Sequence, residues 1–266
     1  MKREEIIRPY FDRLQMAVPD PSIPDAETLR KLHIRHFLTV PYENTDYLSG
    51  RILSTAFETQ FRKVILEGRG GMCIDMNPLF GELLTAIGYH VRYFATSICG
   101  RKPEDLNFHI VSVVEDCDGQ IWWCDIANPF TRFAEPLPIR MNEELAASGS
   151  LFRFTEDSAG ILTLSEKSAD TWRDLLTVRE KDITTEDRDR SKYQDAVNYP
   201  HNAVFCKEVF SIGTPEGRRT LVGNLYRESF PGGFYQLECP AALMPWAYAQ
   251  FGLYRKPENK EDSYNG

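Results

Sequence analysis

Cys73 stands directly after Arg69-Gly70-Gly71-Met72, at the head of an amphipathic stretch that reads as a helix. A thiol placed there meets unpaired backbone N–H groups and the positive end of the helix dipole, both of which stabilise a thiolate. With an imidazolium neighbour, such placement draws a thiol pKa from about 8.5 into a range of roughly 3.5–7.5. The same N–H groups can receive the oxyanion of an attacked acyl carbon. Two preceding glycines let the backbone turn tightly and a substrate approach closely. Free cysteines in a reducing compartment mostly behave as small buried hydrophobes. The glycine turn and helix start set Cys73 apart from Cys99, Cys117, Cys124, Cys206 and Cys239. None of the six forms a Cys-x-x-Cys pair or lies at ligand spacing from a histidine, so no metal site is expected.

A thiolate nucleophile needs a base, and the base needs an orienting group. His109 opens a β-branched run after Leu106-Asn107-Phe108, and Asp125 closes the next run across a hairpin. A hairpin centred on Cys117 sets His109 directly opposite Asp125, on one face. Cys73, His109 and Asp125 are therefore the candidate catalytic residues. His33 and His36, three apart on a helix, have no matching carboxylate or cysteine and read as structural, bonded to the turn at Glu43-Asn44. Arg218 and Arg219 are the candidate cofactor-binding cations, for the phosphates of an anionic ligand, against the plainer reading of a decorated strand edge. Phe130 and Phe133 follow Asp125 directly and are the candidate substrate-pocket residues. The helical spacing of Trp246, Tyr248, Phe251 and Tyr254 points to core packing rather than to an acceptor site. Trp122 and Trp123 must face opposite sides of their strand, one of them the core.

Three kinds of segment must position these groups. Residues 2–16 carry Ile6, Ile7, Tyr10, Phe11 and Leu14 at helical spacing; a second helix begins at an Asp25 cap and ends at Pro41, with 40–44 as a turn. A third amphipathic stretch covers 55–67, and the helix from Cys73 to Ile87 stops at Gly88. After Tyr89 the runs 91–96, 109–114, 120–125, 151–155, 160–165 and 171–178 read as strands of an antiparallel sheet or barrel. A charge-rich segment, 179–190, leads to strand-like runs at 203–212, 218–222 and 234–238 and an aromatic helix at 241–254. The expected division is 1–89 helical with the nucleophile, 90–190 β-barrel with His and Asp, and 191–266 an α/β lid.

With 266 residues, 42% hydrophobic and 26% charged, the chain can bury an ordinary globular core. A net charge of −8 argues against nucleic-acid partners, which need clustered cations. No apolar run is long enough to cross a membrane, and Glu4-Glu5 stand where a signal peptide needs apolar residues. A cytoplasmic enzyme with no membrane partner is expected.

Arg69-Gly70-Gly71-Met72-Cys73 followed by Asn77, Phe108-His109 and Cys124-Asp125 resembles the arylamine N-acetyltransferase family. So do Leu32-His33-x-x-His36 with Val40-Pro41-Tyr42-Glu43-Asn44, and Gly217-Arg218-Arg219-Thr220-Leu221-Val222-Gly223. The resemblance implies an α+β protein: a helical N-terminal bundle, an antiparallel β-barrel and a C-terminal α/β lid. It also implies ping-pong transfer from acetyl-CoA, as co-substrate, through a Cys73 thioester to an arylamine or hydrazine nitrogen. In that chemistry His109 activates the thiol, and Asp125 sets its tautomer. The chain departs from the family pattern in two places: the segment Ala127-Asn128-Pro129 where many members have Gly-Phe-Gly, and Asp75 where Glu is usual. The first departure motivates one alternative, a biosynthetic amide-forming acyltransferase with another acyl donor; a Cys-His-Asp hydrolase, which shares the triad logic and lets water finish the reaction, is a second.

Overall fold

The computed structural model describes residues 2–18, 24–51, 53–98, 109–129, 133–179, 184, 186–191 and 203–252. Helix α1 (Arg3–Leu14) turns Tyr10, Phe11 and Leu14 inward. Helix α2 (Ala26–Thr39) begins where the Asp25 carboxylate accepts the Thr28 N–H at 2.6 Å, and it buries Leu29, Leu32, His33, His36 and Phe37. Pro41 lacks the N–H that a further turn would need. The chain instead enters a short strand, β1 (Tyr42–Glu43), where a turn is expected, and then α3 (Thr45–Leu48). Helix α4 (Phe57–Gln60) runs on as a π-helical turn at Phe61–Leu66. Helix α5 (Cys73–Ala86) buries Met76, Leu79, Phe80, Leu83 and Leu84, and Gly88, with φ of 107°, lets the chain leave it.

Eight antiparallel strands follow: β2 (His90–Ile98), β3 (His109–Cys117), β4 (Gln120–Cys124), β5 (Leu137–Pro138), β6 (Leu145–Ala147), β7 (Ser150–Glu156), β8 (Leu162–Ser168) and β9 (Thr171–Arg179). Their order is β5-β4-β3-β2-β9-β8-β7-β6, and the end strands β5 and β6 approach each other, so the sheet nearly closes into a barrel. Period-two alternation lets β3 serve two cores. Ile110 and Val114 pack with the helices, while Val111 and Val113 pack inside the barrel with Trp123, Phe133, Phe152 and Phe154. Trp122 lies on the helical side.

The β3–β4 hairpin corrects the expected register. It turns at Asp118-Gly119, where both φ values are positive (53° and 69°), not at Cys117. Cys117 pairs with Gln120, then an extra residue in β3 shifts the ladder, and Val114, Val113 and Ser112 pair with Trp122, Trp123 and Cys124. Extended three residues beyond Ser112 and Cys124, that register puts Ala127 rather than Asp125 opposite His109. The two-residue offset keeps Asp125 on the same face.

Helix α6 (Ala203–Cys206) and strand β10 (Val209–Thr214) divide what reads in sequence as one strand, 203–212. Strands β11 (Gly217–Val222), β12 (Leu225–Phe230) and β13 (Gly233–Glu238) complete the second sheet, of which β12 has no clear sequence signal. Its order is β1-β10-β11-β12-β13, so the N-terminal segment supplies an edge strand to the C-terminal sheet. The aromatic helix is shorter than expected: a 3-10 turn at Ala241–Leu243 and α7 (Met244–Ala249). Phe251 is buried against Phe210 and Tyr226, and Tyr248 packs on Phe210, as core packing requires; Trp246 touches Tyr226 but is 42% exposed, against that reading, and Tyr254 lies outside the described residues.

Candidate active site

The Gly70-Gly71 turn delivers Cys73 to the first position of α5. Gly71 pairs with Tyr42, its carbonyl accepts the Glu43 N–H at 3.1 Å, and a Cβ on Gly70 would sit 2.0 Å from the Pro41 carbonyl oxygen. Only glycine allows that approach. Arg69 anchors the turn with ion pairs to Glu43 (2.6 Å) and Asp46 (2.9 Å), which Lys63 also meets at 3.4 and 3.1 Å. Asp75 accepts the Met72 N–H at 3.1 Å, so the shorter acid still caps the helix that carries the thiol.

His109, at the start of β3, brings its Nε2 within 2.7 Å of Asp125 Oδ2, and the Cys73 thiol is the other side-chain partner of the ring. The three sequence candidates thus converge, Cys73 half-buried and the other two buried. Burial alone would push the His109 ring to lower pKa. The Asp125 carboxylate and the Cys73 sulfur outweigh it and raise the ring to about 10. Burial opposes Asp125 ionisation as well, but His109 and Asn77 hold the carboxyl below the usual range. Both neighbours of the ring thus favour its charged form.

Asn77, one turn along α5 from Cys73, holds the acid from below. Its Nδ2 donates to Asp125 Oδ1 at 2.9 Å and to the Ile110 carbonyl, and its Oδ1 accepts the Ile126 N–H at 3.0 Å. His33 does not reach the Glu43-Asn44 turn. Its Nε2 accepts the Asp125 N–H at 3.1 Å and its Nδ1 lies 2.7 Å from the Ala134 carbonyl; His36 Nε2 meets the Tyr10 hydroxyl at 2.9 Å. Sequence reasoning missed these partners because nothing local in α2 tells which segment crosses it.

The remaining candidates scatter. Arg218 is buried, donates from Nη1 to Ser211 Oγ at 2.6 Å and lies 4.5 Å over the Phe37 ring, while Arg219 pairs with Glu228 at 3.1 Å. Both guanidiniums contact protein groups, with the Arg219 side chain 34% exposed. Ser211 Oγ donates on to the Pro129 carbonyl at 3.1 Å, which ties the turn after Asp125 to β10. Phe133 is wholly buried, edge-on to Phe152 in the barrel core, and Phe130 lies outside the described residues. Among the described residues no three His, Cys, Asp or Glu side chains converge as metal ligands, and no helix is long and apolar enough to cross a membrane.

A family model described as N-acetyltransferase matches residues 25–237, most of the chain and every element just described around the thiol. The chain belongs to the arylamine N-acetyltransferase family. Proansamycin X synthase of Amycolatopsis mediterranei is 29% identical over 175 residues, 64% of this chain and 65% of the synthase, so the match spans just under two thirds of that relative. Among solved structures, the arylamine N-acetyltransferase from Salmonella typhimurium superposes with a TM-score of 0.84 at 21% identity, over 96% of this chain and 93% of the other. Mycobacterium marinum arylamine N-acetyltransferase in complex with CoA gives 0.79 at 21%, over 92% of each chain. These likenesses establish the fold: arylamine N-acetyltransferase structures share the helical region, the barrel and the C-terminal sheet.

Proposed function

We propose that this arylamine N-acetyltransferase family member is a ping-pong acyltransferase that moves an acetyl group from acetyl-CoA to the nitrogen of an arylamine or hydrazine. The observation that carries the reading is the contact chain Cys73, His109, Asp125, with the ring set between sulfur and carboxylate. In the first half-reaction the Cys73 sulfur attacks the thioester carbonyl. The C–S bond to CoA breaks, and the CoA sulfur leaves with the proton from His109. In the second half the amine attacks the Cys73 thioester and the C–S bond to Cys73 breaks. The neutral ring takes the proton that the amine nitrogen gives up, and the resting pair is restored. N–H groups at the start of α5 would serve as donors to the two oxyanions. CoA bound in the Mycobacterium marinum neighbour supports the donor class.

A second reading keeps the thioester and changes the donor: a biosynthetic amide-forming acyltransferase. Similarity to a relative named as a synthase, together with Ala127-Asn128-Pro129 after the acid, favours it. Proline removes an N–H and Asn128 adds a side chain where glycine would leave space. Intact-protein mass spectrometry after brief exposure to acetyl-CoA separates the readings. An acetyl increment that Cys73→Ala abolishes, discharged by an arylamine, is the expected result. No increment on a protein whose Cys73 still alkylates would overturn acetyl-CoA as donor and lead to larger thioesters. Discharge as fast in water as with amine would mean hydrolysis.

A further inference from the structure

We propose that His33 is a positioning residue for the triad, acting as a neutral hydrogen-bond acceptor that holds the backbone of Asp125 in line with His109. The inference rests on the reading of Cys73, His109 and Asp125 as the acyl-transfer triad. Asp125 lies one residue past the end of β4, where the last ladder pair is Ser112 with Cys124, so the sheet itself does not hold it. Its carboxylate is gripped by His109 on Oδ2 and Asn77 on Oδ1, but its N–H goes to an imidazole from a different part of the chain, α2. A buried N–H needs a partner, and here the partner is a ring nitrogen whose lone pair exists only in one tautomer of the neutral ring.

The surroundings enforce that tautomer. The Ala134 carbonyl can only accept, so Nδ1 carries the hydrogen and Nε2 faces Asp125 N–H as an acceptor. His33 is fully buried and edge-on to Phe80, and its burial keeps the proton off: the ring is pushed down to about 4, although Asp125 and Glu135 pull the other way and His36 lies close by on the same helix. Two histidines therefore flank one carboxylate in opposite states. His109 is charged and bonds the side chain; His33 is neutral and bonds the main chain. The same ring ties the segment after Phe133 to α2, so a single side chain sets both ends of the stretch that leads out of the acid.

The test compares His33→Phe and His33→Met, which fill the space without that acceptor, with His33→Gln, whose amide oxygen can accept from Asp125 and whose NH2 can donate to Ala134. The readout is the pH profile of Cys73 alkylation by iodoacetamide, followed by peptide mass spectrometry against a Cys73→Ser blank. It needs neither acyl donor nor acceptor. In the wild type the paired thiol should alkylate fastest at neutral pH, well ahead of exposed Cys206. We expect His33→Phe and His33→Met to move the profile towards that of an ordinary thiol and to cut acyl transfer about 10–100-fold. His33→Gln should restore most of both, and adding His33→Phe to Asp125→Asn should change little more. A wild-type alkylation profile in folded His33→Phe or His33→Met overturns the proposal while leaving the triad intact. If either fails to fold, the other and His33→Gln decide it. A Cys73 no more reactive than Cys206 in the wild type overturns the triad reading instead.

Discussion

Because His109 holds its proton more tightly in the folded protein than a free imidazole does, the pH response of the site has a definite sign. Folded, the ring titrates at about 10 against 6.5 for an ordinary histidine. Its contribution to stability is therefore complete below about pH 6.5 and lost as pH rises towards 10. Asp125 is held below the usual carboxylate range, so its contribution is present above about pH 4 and lost as pH falls through the lowered value. Denaturant unfolding of the wild type and Asp125→Asn between about pH 5 and 10 should show a stability gap widest near pH 5–6.5 that narrows with rising pH. A constant gap would mean that the pair does not share charge. Asp125→Asn should also slow transfer about 10³–10⁴-fold with little change in structure, since a neutral amide cannot support an imidazolium. Steady-state rates with any accepted donor check this.

At the scale of elements, the nucleophile depends on a turn pressed against its neighbour. A methyl on Gly70 would fall 2.0 Å from the Pro41 oxygen, so Gly70→Ala must push β1 and the turn apart. We expect a loss of about 1–3 kcal/mol and a larger drop in Cys73 alkylation than stability alone explains. Wild-type alkylation in this variant would show that the turn does not set the thiol. The acid depends on a bulge. From the Asp118-Gly119 turn, Cys117 faces Gln120; carried straight on, that register would leave Asp125 on the opposite face from His109. The extra residue between Val114 and Cys117 restores the shared face.

Across the whole molecule, a single asparagine links the N-terminal segment to the C-terminal sheet. Asn44 Nδ2 donates to the Lys207 carbonyl and its Oδ1 accepts the Val209 N–H, each at 2.8 Å, beside the β1–β10 pairing. Asn44→Ala leaves both backbone groups without these partners. It should cost about 2–4 kcal/mol in urea unfolding and expose the chain after Cys206 to limited proteolysis. Equal proteolysis of variant and wild type would refute the linking role. Ser211 forms a second link, between Pro129 and Arg218, so the turn after the acid feels the C-terminal sheet directly. That route connects Ala127-Asn128-Pro129 to a part of the fold distant in sequence.

Taken alone, the amino-acid sequence determined the elements whose signals are local: α5 from its apolar spacing and Gly88, α2 from Asp25 and Pro41, and β2, β3, β4, β7, β8 and β9 from their β-branched or aromatic runs. It also singled out Cys73, His109 and Asp125, because a glycine turn before a helix and two strand-end residues are patterns of type and spacing. The tertiary structure decided what depends on crossings and counting: the bulge that shifts the hairpin, the strand made from Tyr42–Glu43, and the burial of Arg218 against Phe37. It alone decided the partner of His33. A hydrogen bond 92 residues long in sequence leaves no periodic trace, since it is set by which loop the packing of α2, α5 and the barrel brings to that ring.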